Sequence, residues 1–446
     1  MVNNIPEGAI EILVALHMYG YQAYLVGGCV RDCLMGRQPH DWDICTDASP
    51  AEMKYVFRDY KVIETGLQHG TLTVVSCGDS YEVTTFRIDG QYTDGRHPDS
   101  VSFTQNLVDD LARRDFTINA IAMRIDGSII DPFNGASDIE KGVIRCVGDP
   151  KKRFEEDALR ILRAVRFAST LEFDIHHDTA IAMMTRCLGL KNISEERIAS
   201  ELRKTLTGRR PGSVLNKYSF VLWVFWPEVM DCVGFDQQNP YHVYDVWTHI
   251  TTALDYGACI TDDLIVRLAL LLHDIAKPRC MMVDDRGGHF YGHPPVCATL
   301  ADDMLRRLKF DNATREAVVE LIEHHDATVV PAQKNIRRWL NKIGEQQLRR
   351  LLMIKIADAS AHNRANVGTR IHDAAEALAI FERAISDQVC FSLKDLAVGG
   401  DDVLAAGLEP GPRVGDILRE ILGLVIDGDA PNDREYLLKL IKTLTA

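Results

Sequence analysis

The pattern of apolar and polar positions changes character about one third of the way along the chain. Up to about residue 140, short apolar runs alternate with helical segments. The expected helices lie at 5–19, 28–35 and 50–58, and the expected strands lie at 22–27 and 41–45 and near 60–64, 70–76, 81–88 and 99–103. This alternation predicts an α/β domain on a mostly antiparallel or mixed sheet.

From about residue 150 onward the pattern is almost wholly helical. The segment "RFEEDALRILRAVRFAS" places Leu159, Leu162, Val165 and Ala168 on one face of a helix. A polar loop, "GFDQQNPYHVYD", indicates a boundary near 235–245. We therefore expect four regions, which are an α/β head at 1–145, an all-α neck and body at 146–235, an all-α domain at 240–365 and a helical tail at 366–446.

Composition narrows the class of protein. The 446 residues contain no uncharged apolar run of the roughly 18 residues that a membrane span needs. The N-terminal segment has the pattern of an amphipathic helix and lacks the basic start of a signal peptide. The eleven cysteines include no CxxC pair, so we expect reduced, mostly buried thiols. These features predict a cytoplasmic protein without a membrane partner.

Charge is distributed unevenly. The formal net charge is −14, yet residues 141–210 hold fifteen Lys and Arg against ten Asp and Glu. A basic strip on an acidic protein suits a specific polyanionic partner that is released again, whereas the overall charge disfavours nonspecific coating of nucleic acid. Part of the strip could instead be solvated helix surface, and that alternative stays open.

The first candidate site is "YLVGGCVRDCLMGRQPHDWDIC", residues 24–45. Asp41 and Asp43, separated by one residue on an expected strand, point to the same face. Two neighbouring carboxylates repel each other unless a cation lies between them, and Mg²⁺ prefers oxygen ligands. The glycines at 27 and 28 would let the backbone approach a ligand closely. Two aspartates separated by one residue also occur in ordinary turns that bind no metal, so this alternative stays open.

The second candidate is "EEDALR", where Asp157 and Arg160 lie three apart on an expected helix and therefore on one face. Asp accepts hydrogen bonds and Arg donates them. Cytosine and adenine share an edge with an amino donor beside a ring-nitrogen acceptor, so a fixed Asp–Arg pair could accept both and reject guanine and uracil. The alternative is an ordinary surface salt bridge.

The third candidate is a set of histidines and aspartates in the helical C-terminal half. His249, the pair His273–Asp274 in "LLHDIAKP", and Asp358 lie in separate expected helices. Imidazole and carboxylate groups in this combination are typical of a site for a divalent metal. His293 and His324 are additional candidate ligands for a second metal. Each histidine alone is more often structural than a ligand.

Six ordered motifs resemble class II tRNA nucleotidyltransferases and bacterial poly(A) polymerases, which belong to the polymerase β-like superfamily. Besides the segment at 24–45, they are "EVTTFRIDGQYTDGRHPDSVSF", "DLARRDFTINAIA", "IIDPFNGASDIEKGVIRCVGD", "RFEEDALRILRAVRFA" and "ISEERIASELRK". The resemblance implies a nucleotidyltransferase head that uses Mg²⁺, CTP and ATP and acts on tRNA. It implies template-independent CCA addition with release of pyrophosphate.

The resemblance also implies roles for individual residues. Asp41 and Asp43 would hold the catalytic Mg²⁺, with Glu82 in support. The residues that would bind the nucleotide are Gly27, Gly28, Arg31, Asp32, Arg113, Arg114, Asp115, Asn119, Asp157, Arg160, Arg163 and Arg166, and Glu156 would begin the base-selecting motif. Asp115 and Asn119 could instead cap a helix or turn. The polar segment 89–99 would be a mobile loop that favours full CCA addition, although a plain hairpin connection is the alternative.

The region 240–365 resembles the HD-domain phosphohydrolases, which implies hydrolysis of a phosphate or cyclic phosphate on RNA ends or nucleotides. "GHPP" departs from that family, because many of its members have Glu after the His. Rival functions are poly(A) synthesis, CC-only or A-only addition and, from another class, a phosphohydrolase or regulatory module whose head only binds RNA. The tail at 366–446 could pack, form a homodimer contact or bind RNA.

Overall fold

The chain divides into two units in the computed structural model, which describes residues 5–64, 66–67, 70–90, 100–238, 243–285, 287–362 and 364–445. The first unit comprises Met1–Arg210 and Lys217–Pro227, and the second comprises Pro211–Asn216 and Glu228–Ala446. The expected division into four regions stays a prediction.

The first unit begins with an α/β part and continues with helices. Its elements are α1 (Glu7–Met18), β1 (Ala23–Val26), α2 (Gly28–Leu34), β2 (Ile44–Thr46), α3 (Pro50–Val56), β3 (Lys61–Ile63), β4 (Thr71–Ser76), β5 (Asp79–Thr85), β6 (Arg87–Asp89), β7 (Val101–Phe103), α4 (Leu107–Ala112), β8 (Ala122–Met123), β9 (Ile129–Ile130), α5 (Gly135–Glu140), β10 (Val143–Ile144), α6 (Pro150–Glu156), α7 (Leu159–Leu171), β11 (Asp174–Ile175), α8 (His177–Arg186) and α9 (Glu195–Leu206).

Seven strands form one mixed sheet in the order β3-β4-β5-β2-β1-β8-β9. The pairing of β2 with β5 is parallel, with Ile44 opposite Val83. The neighbouring pairs β1–β2 and β4–β5 are antiparallel. The predicted α/β head with a mixed sheet is therefore confirmed.

The sheet has an apolar core on each face. Leu25 and Ile44 pack into a cluster with the buried face of α1, whereas their neighbours Val26 and Cys45 belong to a second cluster. Successive strand residues point to opposite faces, so a strand buried on both sides is apolar without interruption. In α1, fully buried positions recur at the helical spacing, at Ala9, Ile12, Leu13 and Leu16.

The second unit is largely helical, as predicted. After α10 (Pro211–Lys217), which crosses the division between the units, and α11 (Ser219–Leu222) of the first unit, it contains α12 (Val229–Cys232), α13 (Val246–Ile260), α14 (Leu264–Leu272), α15 (Lys277–Cys280), β12 (Met282–Asp284), β13 (Gly287–His289), α16 (His293–Arg307), α17 (Asn312–His324), α18 (Gln333–Ser360), α19 (Arg364–Ser386), α20 (Gly400–Ala405), α21 (Pro412–Asp427) and α22 (Arg434–Thr445).

Two features of this unit were not expected from the sequence. The helix α18 has a kink at Gly344, whose φ of 77° is outside the helical region. The C-terminal helices enclose a small apolar core of their own, which includes Val403, Ile421 and Leu437.

Within the described part of the chain, every helix is too short or too polar to span a bilayer.

Candidate functional site

Asp41 and Asp43 lie just before β2, because the strand expected at 41–45 begins only at Ile44. The chain already runs beside β1 at this point, since the backbone N–H of Val26 donates to the carbonyl oxygen of Asp43 at 3.0 Å. Trp42 is 6% exposed and belongs to the core, whereas Asp41 is exposed. The expected alternation therefore holds, and both carboxylates lie opposite the buried Trp42.

The turn before α2 brings the glycines close to this acidic pair. Gly27 has a φ of 82°, and a Cβ atom there would lie 3.0 Å from Nη1 of Arg114 and 3.9 Å from Oδ2 of Asp43. Any other residue would be strained at this φ and would crowd Arg114. The turn thus needs glycine both for its backbone conformation and for the close approach of the Arg114 side chain.

Glu82 acts on Asp43 from the neighbouring strand. Because Ile44 pairs with Val83, the residues that precede them, Asp43 and Glu82, are next to each other across the parallel pair. Burial raises the pKa of Asp43, and the negative charges of Glu82 and Asp41 raise it further, against the opposing effect of Arg114. Three acids therefore converge at a place where a cation would relieve their repulsion.

Arg113 and Arg114 are held by an acid that the sequence reasoning missed. Asp110 is fully buried on α4, and its Oδ1 accepts from Nη2 of Arg113 at 2.8 Å while its Oδ2 accepts from Nη2 of Arg114 at 3.3 Å. Burial would raise the pKa of Asp110, but the two arginines outweigh it and lower the pKa. The i, i+3 and i, i+4 spacing in "DLARR" was the available signal.

Asp115 and Asn119 form a buried network with two distant arginines. Oδ2 of Asp115 accepts from Nε of Arg163 at 2.7 Å, and its Oδ1 accepts from Nδ2 of Asn119 at 3.1 Å. The Asn119 Oδ1 in turn accepts from Nη1 of Arg31 at 2.8 Å. Burial alone would raise the pKa of Asp115, but Arg163 and Asn119 outweigh it and lower the pKa to about 2. Asp115 is therefore ionised at neutral pH.

Neither residue caps the 3₁₀ helix Thr117–Asn119, although Oδ1 of Asp115 also accepts from the backbone N–H of Phe116 at 2.8 Å. Arg31 also donates from Nε to Oδ1 of its neighbour Asp32 at 2.9 Å, which fixes the direction of the guanidinium.

Phe167 on α7 is the ring that organises the arginine cluster. The guanidinium carbons of Arg166, Arg31 and Arg163 lie 4.4, 5.2 and 5.5 Å from its ring centroid. Guanidinium groups at these distances are attracted by the face of an aromatic ring. Glu201 adds an ion pair to Arg166 at 3.3 Å. The sequence reasoning assigned Phe167 to no site.

The prediction that one helix contains both Asp157 and Arg160 is wrong. Asp157 has an extended backbone (φ −146°, ψ 104°) and lies between α6 and α7. Its Oδ1 accepts from the backbone N–H of Leu159 and caps α7. Its Oδ2 pairs with Arg197 at 3.1 Å, and Arg160 pairs with Glu156 at 2.7 Å. The two side chains therefore do not form the simple i, i+3 salt bridge of the alternative explanation.

These groups meet in one cavity of about 620 Å³. Its lining includes seven arginines, four aspartates and the turn glycines, and it consists of Gly27, Gly28, Arg31, Asp41, Asp43, Arg113, Arg114, Asp115, Asn119, Asp157, Leu159, Arg160, Arg163, Arg166, Phe167 and Arg197. The structure thus brings together the residues predicted for nucleotide and Mg²⁺ binding except Asp32, Glu82 and Glu156, which are not among the lining residues. Arg197 is an addition, and its signal was the motif "ISEERIASELRK".

The second unit contains a separate cluster of histidines and aspartates. His249, His273 and Asp358 form one group, and Asp274, His293 and His325 form another, with candidate ligand atoms within 4.8 Å of one another in each. Oδ2 of Asp274 lies 3.3 Å from Nε2 of both His249 and His273, and its Oδ1 lies 3.3 Å from Nε2 of His293. Asp274 therefore connects the two groups.

The imidazole rings are oriented by the backbone. Nδ1 of His273, His293 and His325 lies 2.8, 2.8 and 2.7 Å from the carbonyl oxygens of Leu270, Phe290 and Ile322, three residues earlier in each case. Donation from Nδ1 to a carbonyl directs Nε2 of His273 and of His293 toward the carboxylate of Asp274. This arrangement is typical of histidines that bind a metal.

His325 takes the place in this cluster that was predicted for His324. His324 is the last residue of α17, and its ring packs against Trp339 at 5.5 Å. His325 follows it with helical backbone angles, so the two side chains diverge by about 100° around the helix axis. Only one of the pair can face the carboxylates, and the sequence "EHHD" gave no means to choose between them.

The electrostatics of the cluster fit a cation. The carboxylate of Asp274 is buried, with both oxygens 3.3 Å from imidazole nitrogens and Oδ2 also 2.6 Å from Nζ of Lys277. Burial lowers the pKa of His273, but Asp274 and Asp358 outweigh it and raise the pKa to about 10. The cluster therefore attracts positive charge, and its mixed nitrogen and oxygen donors suit a divalent transition metal. These residues and the acids near β2 are groups that could hold divalent metals.

A cavity of about 410 Å³ opens onto this cluster. Besides Asp274, Asp358, His293 and His325, its lining includes cationic and aromatic residues that the sequence reasoning had not assigned, namely Lys277, His362, Arg370, His289, Phe290 and Tyr291. Lys277 approaches Oδ2 of Asp274 at 2.6 Å.

Comparison with known proteins agrees with both units. The family model for the poly A polymerase head domain matches residues 23–145, and the model for a putative tRNA nucleotidyltransferase domain 2 matches residues 296–441. The CCA-adding enzyme of Levilactobacillus brevis is 36% identical over 98% of this chain and 97% of its own, and that of Lactobacillus johnsonii is 35% identical over 99% and 98%.

Solved structures give the same result. The crystal structure of the Bacillus stearothermophilus CCA-adding enzyme in complex with CTP is 30% identical, with a TM-score of 0.69 over 98% of this chain and 97% of that one. The resemblance noted in the sequence and the predicted nucleotidyltransferase function are thereby confirmed. The chain belongs to the CCA-adding enzymes and is a tRNA nucleotidyltransferase.

Proposed function

We propose that the cavity of the first unit adds C and A residues to the 3′ end of tRNA, taking them from CTP and ATP without a nucleic-acid template. The observation that carries this proposal is the meeting of an acidic pair and an arginine cluster in one cavity of about 620 Å³. Carboxylates suit the metal ions of nucleotidyl transfer, and guanidinium groups suit the triphosphate.

Asp41 and Asp43 would hold Mg²⁺, with Glu82 in support. All three are oxygen donors, and the raised pKa of Asp43 reflects its burial and the repulsion of the neighbouring acids, which a bound dication relieves. When bound, the ions activate the 3′-hydroxyl of the RNA and neutralise charge on the departing pyrophosphate. The turn at Gly27 leaves the space into which the triphosphate can approach this pair.

The arginines would bind and orient the triphosphate. Arg31 and Arg163 are fixed through Asn119 and Asp115, and Arg114 is fixed by the buried Asp110. Because these acids already define the directions of the guanidinium groups, little side-chain entropy is lost when a nucleotide binds. Positioning of this kind supplies a large share of catalysis in phosphoryl transfer.

Asp157 and Arg160 would select the base. Arg197 holds Asp157 and Glu156 holds Arg160, so an acceptor and a donor are kept at fixed places in the cavity. This pair complements the shared edge of cytosine and adenine and leaves buried polar groups unpaired with guanine or uracil. The segment 91–99, which was expected to help the switch from C to A, lies outside the described residues.

The experiment is extension of tRNA that lacks its CCA end, with each nucleoside triphosphate offered singly and then together. CTP followed by ATP should complete the end, whereas long A tails, addition of C alone or addition of A alone would identify a poly(A) polymerase or a partial CCA enzyme. The variant D41A/D43A should lose extension, while Asp59→Ala, whose side chain is 82% exposed, should keep it. Extension by the double variant would overturn the proposal.

A second function is favoured by the histidine cluster of the second unit. We propose that it holds divalent metal and hydrolyses phosphate or cyclic phosphate at RNA ends or on nucleotides. His249, His273, Asp274, Asp358, His293 and His325 would be the ligands. Water adds across the phosphorus–oxygen ester bond, which releases the hydroxyl group, and Lys277 beside the cluster would bind a phosphate oxygen.

This second function is tested by metal content together with hydrolysis. The purified chain should contain divalent metal and should hydrolyse adenosine 2′-phosphate or adenosine 2′,3′-cyclic phosphate. The variant H273A/D274A should lose both properties and keep CCA addition. If the parent binds no divalent metal, or if the double variant hydrolyses as fast as the parent, the cluster has another role.

A further inference from the structure

The cavity at the histidine cluster has an aromatic wall that metal binding does not explain. Besides the metal-ligand candidates, the acid Asp326 and two glycines, its lining includes the cations Lys277 and Arg370, the imidazole of His362, and the consecutive aromatic residues His289, Phe290 and Tyr291. Ligands and cations suffice to bind a phosphate group. The ring centroid of Phe290 lies 5.4 Å from Nζ of Lys277, so the rings that need a separate explanation are those of His289 and Tyr291.

Tyr291 and His289 form a stacked pair. Their ring centroids are 5.3 Å apart, and the ring planes differ by only 13°. Nε2 of His289 lies 3.0 Å from Oδ1 of Asp284, which ties the ring to the opposite strand of the hairpin β12–β13. The lower ring of the pair is thus fixed, and Tyr291 lies over it.

Tyr291 remains 71% exposed although it lines a cavity. A large ring that is fixed from behind and open in front presents a flat apolar surface, on which a nucleobase can stack at little entropic cost. The cavity volume of about 410 Å³ falls within the range of pockets for small ligands. Phosphate-binding cations line the same cavity, so one molecule with a base and a phosphate would meet both groups.

We infer that Tyr291, backed by His289, is the base-stacking platform of this cavity, so that its ligand is a nucleoside phosphate and not a phosphate ester without a base. This inference rests on the proposed hydrolytic function. The base would lie on Tyr291 and the phosphate would reach Lys277 and the ligand cluster. A free nucleotide and the terminal nucleotide of an RNA share this chemistry.

Steady-state hydrolysis by the full chain tests the platform. The substrates are adenosine 2′-phosphate, a short RNA with a 3′-terminal adenosine 2′-phosphate, and glycerol 2-phosphate, which is a secondary ester without a base. Tyr291→Leu should lower the ratio of kcat/KM for adenosine 2′-phosphate over glycerol 2-phosphate by about tenfold, as expected for the loss of one base–aromatic stack. Tyr291→Phe should retain the parent ratio, because the ring is kept.

Tyr256→Leu is the matched control, because this tyrosine is 45% exposed in the same unit but does not line the cavity. If Tyr291→Leu leaves the ratio at the parent value, the inference is wrong. A fall in the ratio for the RNA alone, or for the free nucleotide alone, identifies which source of nucleotide the platform serves.

A binding measurement separates this inference from the hydrolytic proposal. In Tyr291→Trp, adenosine 2′-phosphate should quench the added tryptophan emission relative to the parent, and glycerol 2-phosphate should not. Quenching without hydrolysis would support the platform and overturn the hydrolytic function. Hydrolysis without quenching would do the reverse.

Discussion

The acidic and arginine-rich cavity of the first unit differs from the histidine cluster of the second in how its charges are balanced. In the first, ion pairs such as Asp115–Arg163 and Asp157–Arg197 leave arginines in excess along the lining of the cavity. In the second, His273 and Asp274 are at most 1% exposed, and their charges are balanced within a compact set that also includes Lys277, His249 and Asp358.

This difference in charge balance indicates which kind of ligand each site would bind. A wall with surplus guanidinium groups is ready for a polyanion such as a triphosphate, and it can release the product because the charges stay near water. A buried set of carboxylates costs free energy unless cationic groups or a metal ion balance its charge. The proposed functions therefore differ in what they require: the first cavity would recognise its substrate with protein charges, and the second would first need a metal.

The largest effect is expected when the adjacent residues His324 and His325 are substituted in turn, which tests metal binding by the histidine cluster of the second unit. His325→Ala should remove one of two bound divalent ions, because it deletes a ligand of the group that includes Asp274 and His293. His324→Ala should keep both ions, because its ring packs on Trp339. Metal is counted by elemental analysis after dialysis, with the melting temperature as a check of folding. Equal metal content in the two variants would contradict the assigned cluster.

On the arginine-rich side, Asp157→Ala tests whether fixed protein groups choose the base. Removing the acceptor should lower discrimination against UTP and GTP by about tenfold to a hundredfold, in line with ~1–3 kcal/mol for each unpaired buried group. Single-nucleotide incorporation into tRNA measures the ratio of kcat/KM values. Glu155→Ala is the neighbouring control, since Glu155 is 53% exposed and pairs with Arg186. Undiminished discrimination in Asp157→Ala would assign base choice elsewhere.

The ion-pair network predicts a pH dependence of stability. The pKa of Asp115 is held at about 2, below the value near 4 of an unfolded chain, so its charge stabilises the protein above pH 4. That stabilisation, about 2 kcal/mol, is lost as the pH falls from 4 toward 2. The difference in free energy of unfolding between the parent and Asp115→Asn should therefore shrink between pH 5 and pH 3 in urea titrations. Asp59→Asn should show no such trend.

The smallest effect is expected for substitution of Phe167, whose ring contacts three arginines of the cavity. Phe167→Leu should raise KM for CTP and ATP by about fivefold, because each cation–π contact contributes ~0.5–1 kcal/mol. Phe167→Trp should restore the parent KM, whereas Phe173→Leu, at a buried ring outside the cavity, should leave KM unchanged. If leucine and tryptophan at 167 behave alike, the ring only fills space.

The order of motifs along the chain was enough to predict the mixed-sheet head, the helical remainder, the family and most of the residues that line the cavity of the first unit. The type of a residue already indicates the ligand it can bind. The acids at 41 and 43 indicate a cation, and the arginines at 163 and 166 indicate an anion such as a triphosphate. Local periodicity was also reliable where one helix face is buried, as in α1.

The tertiary structure decided which neighbours those residues have. Asp157 left the expected helix because its carboxylate caps α7 and pairs with Arg197, forty residues away. His325 and not His324 faced the carboxylates, and Phe167 and Asp110 proved to hold the arginines. Sequence periodicity describes contacts within one element, whereas these contacts join elements that are distant along the chain, and only the packing of those elements fixes them.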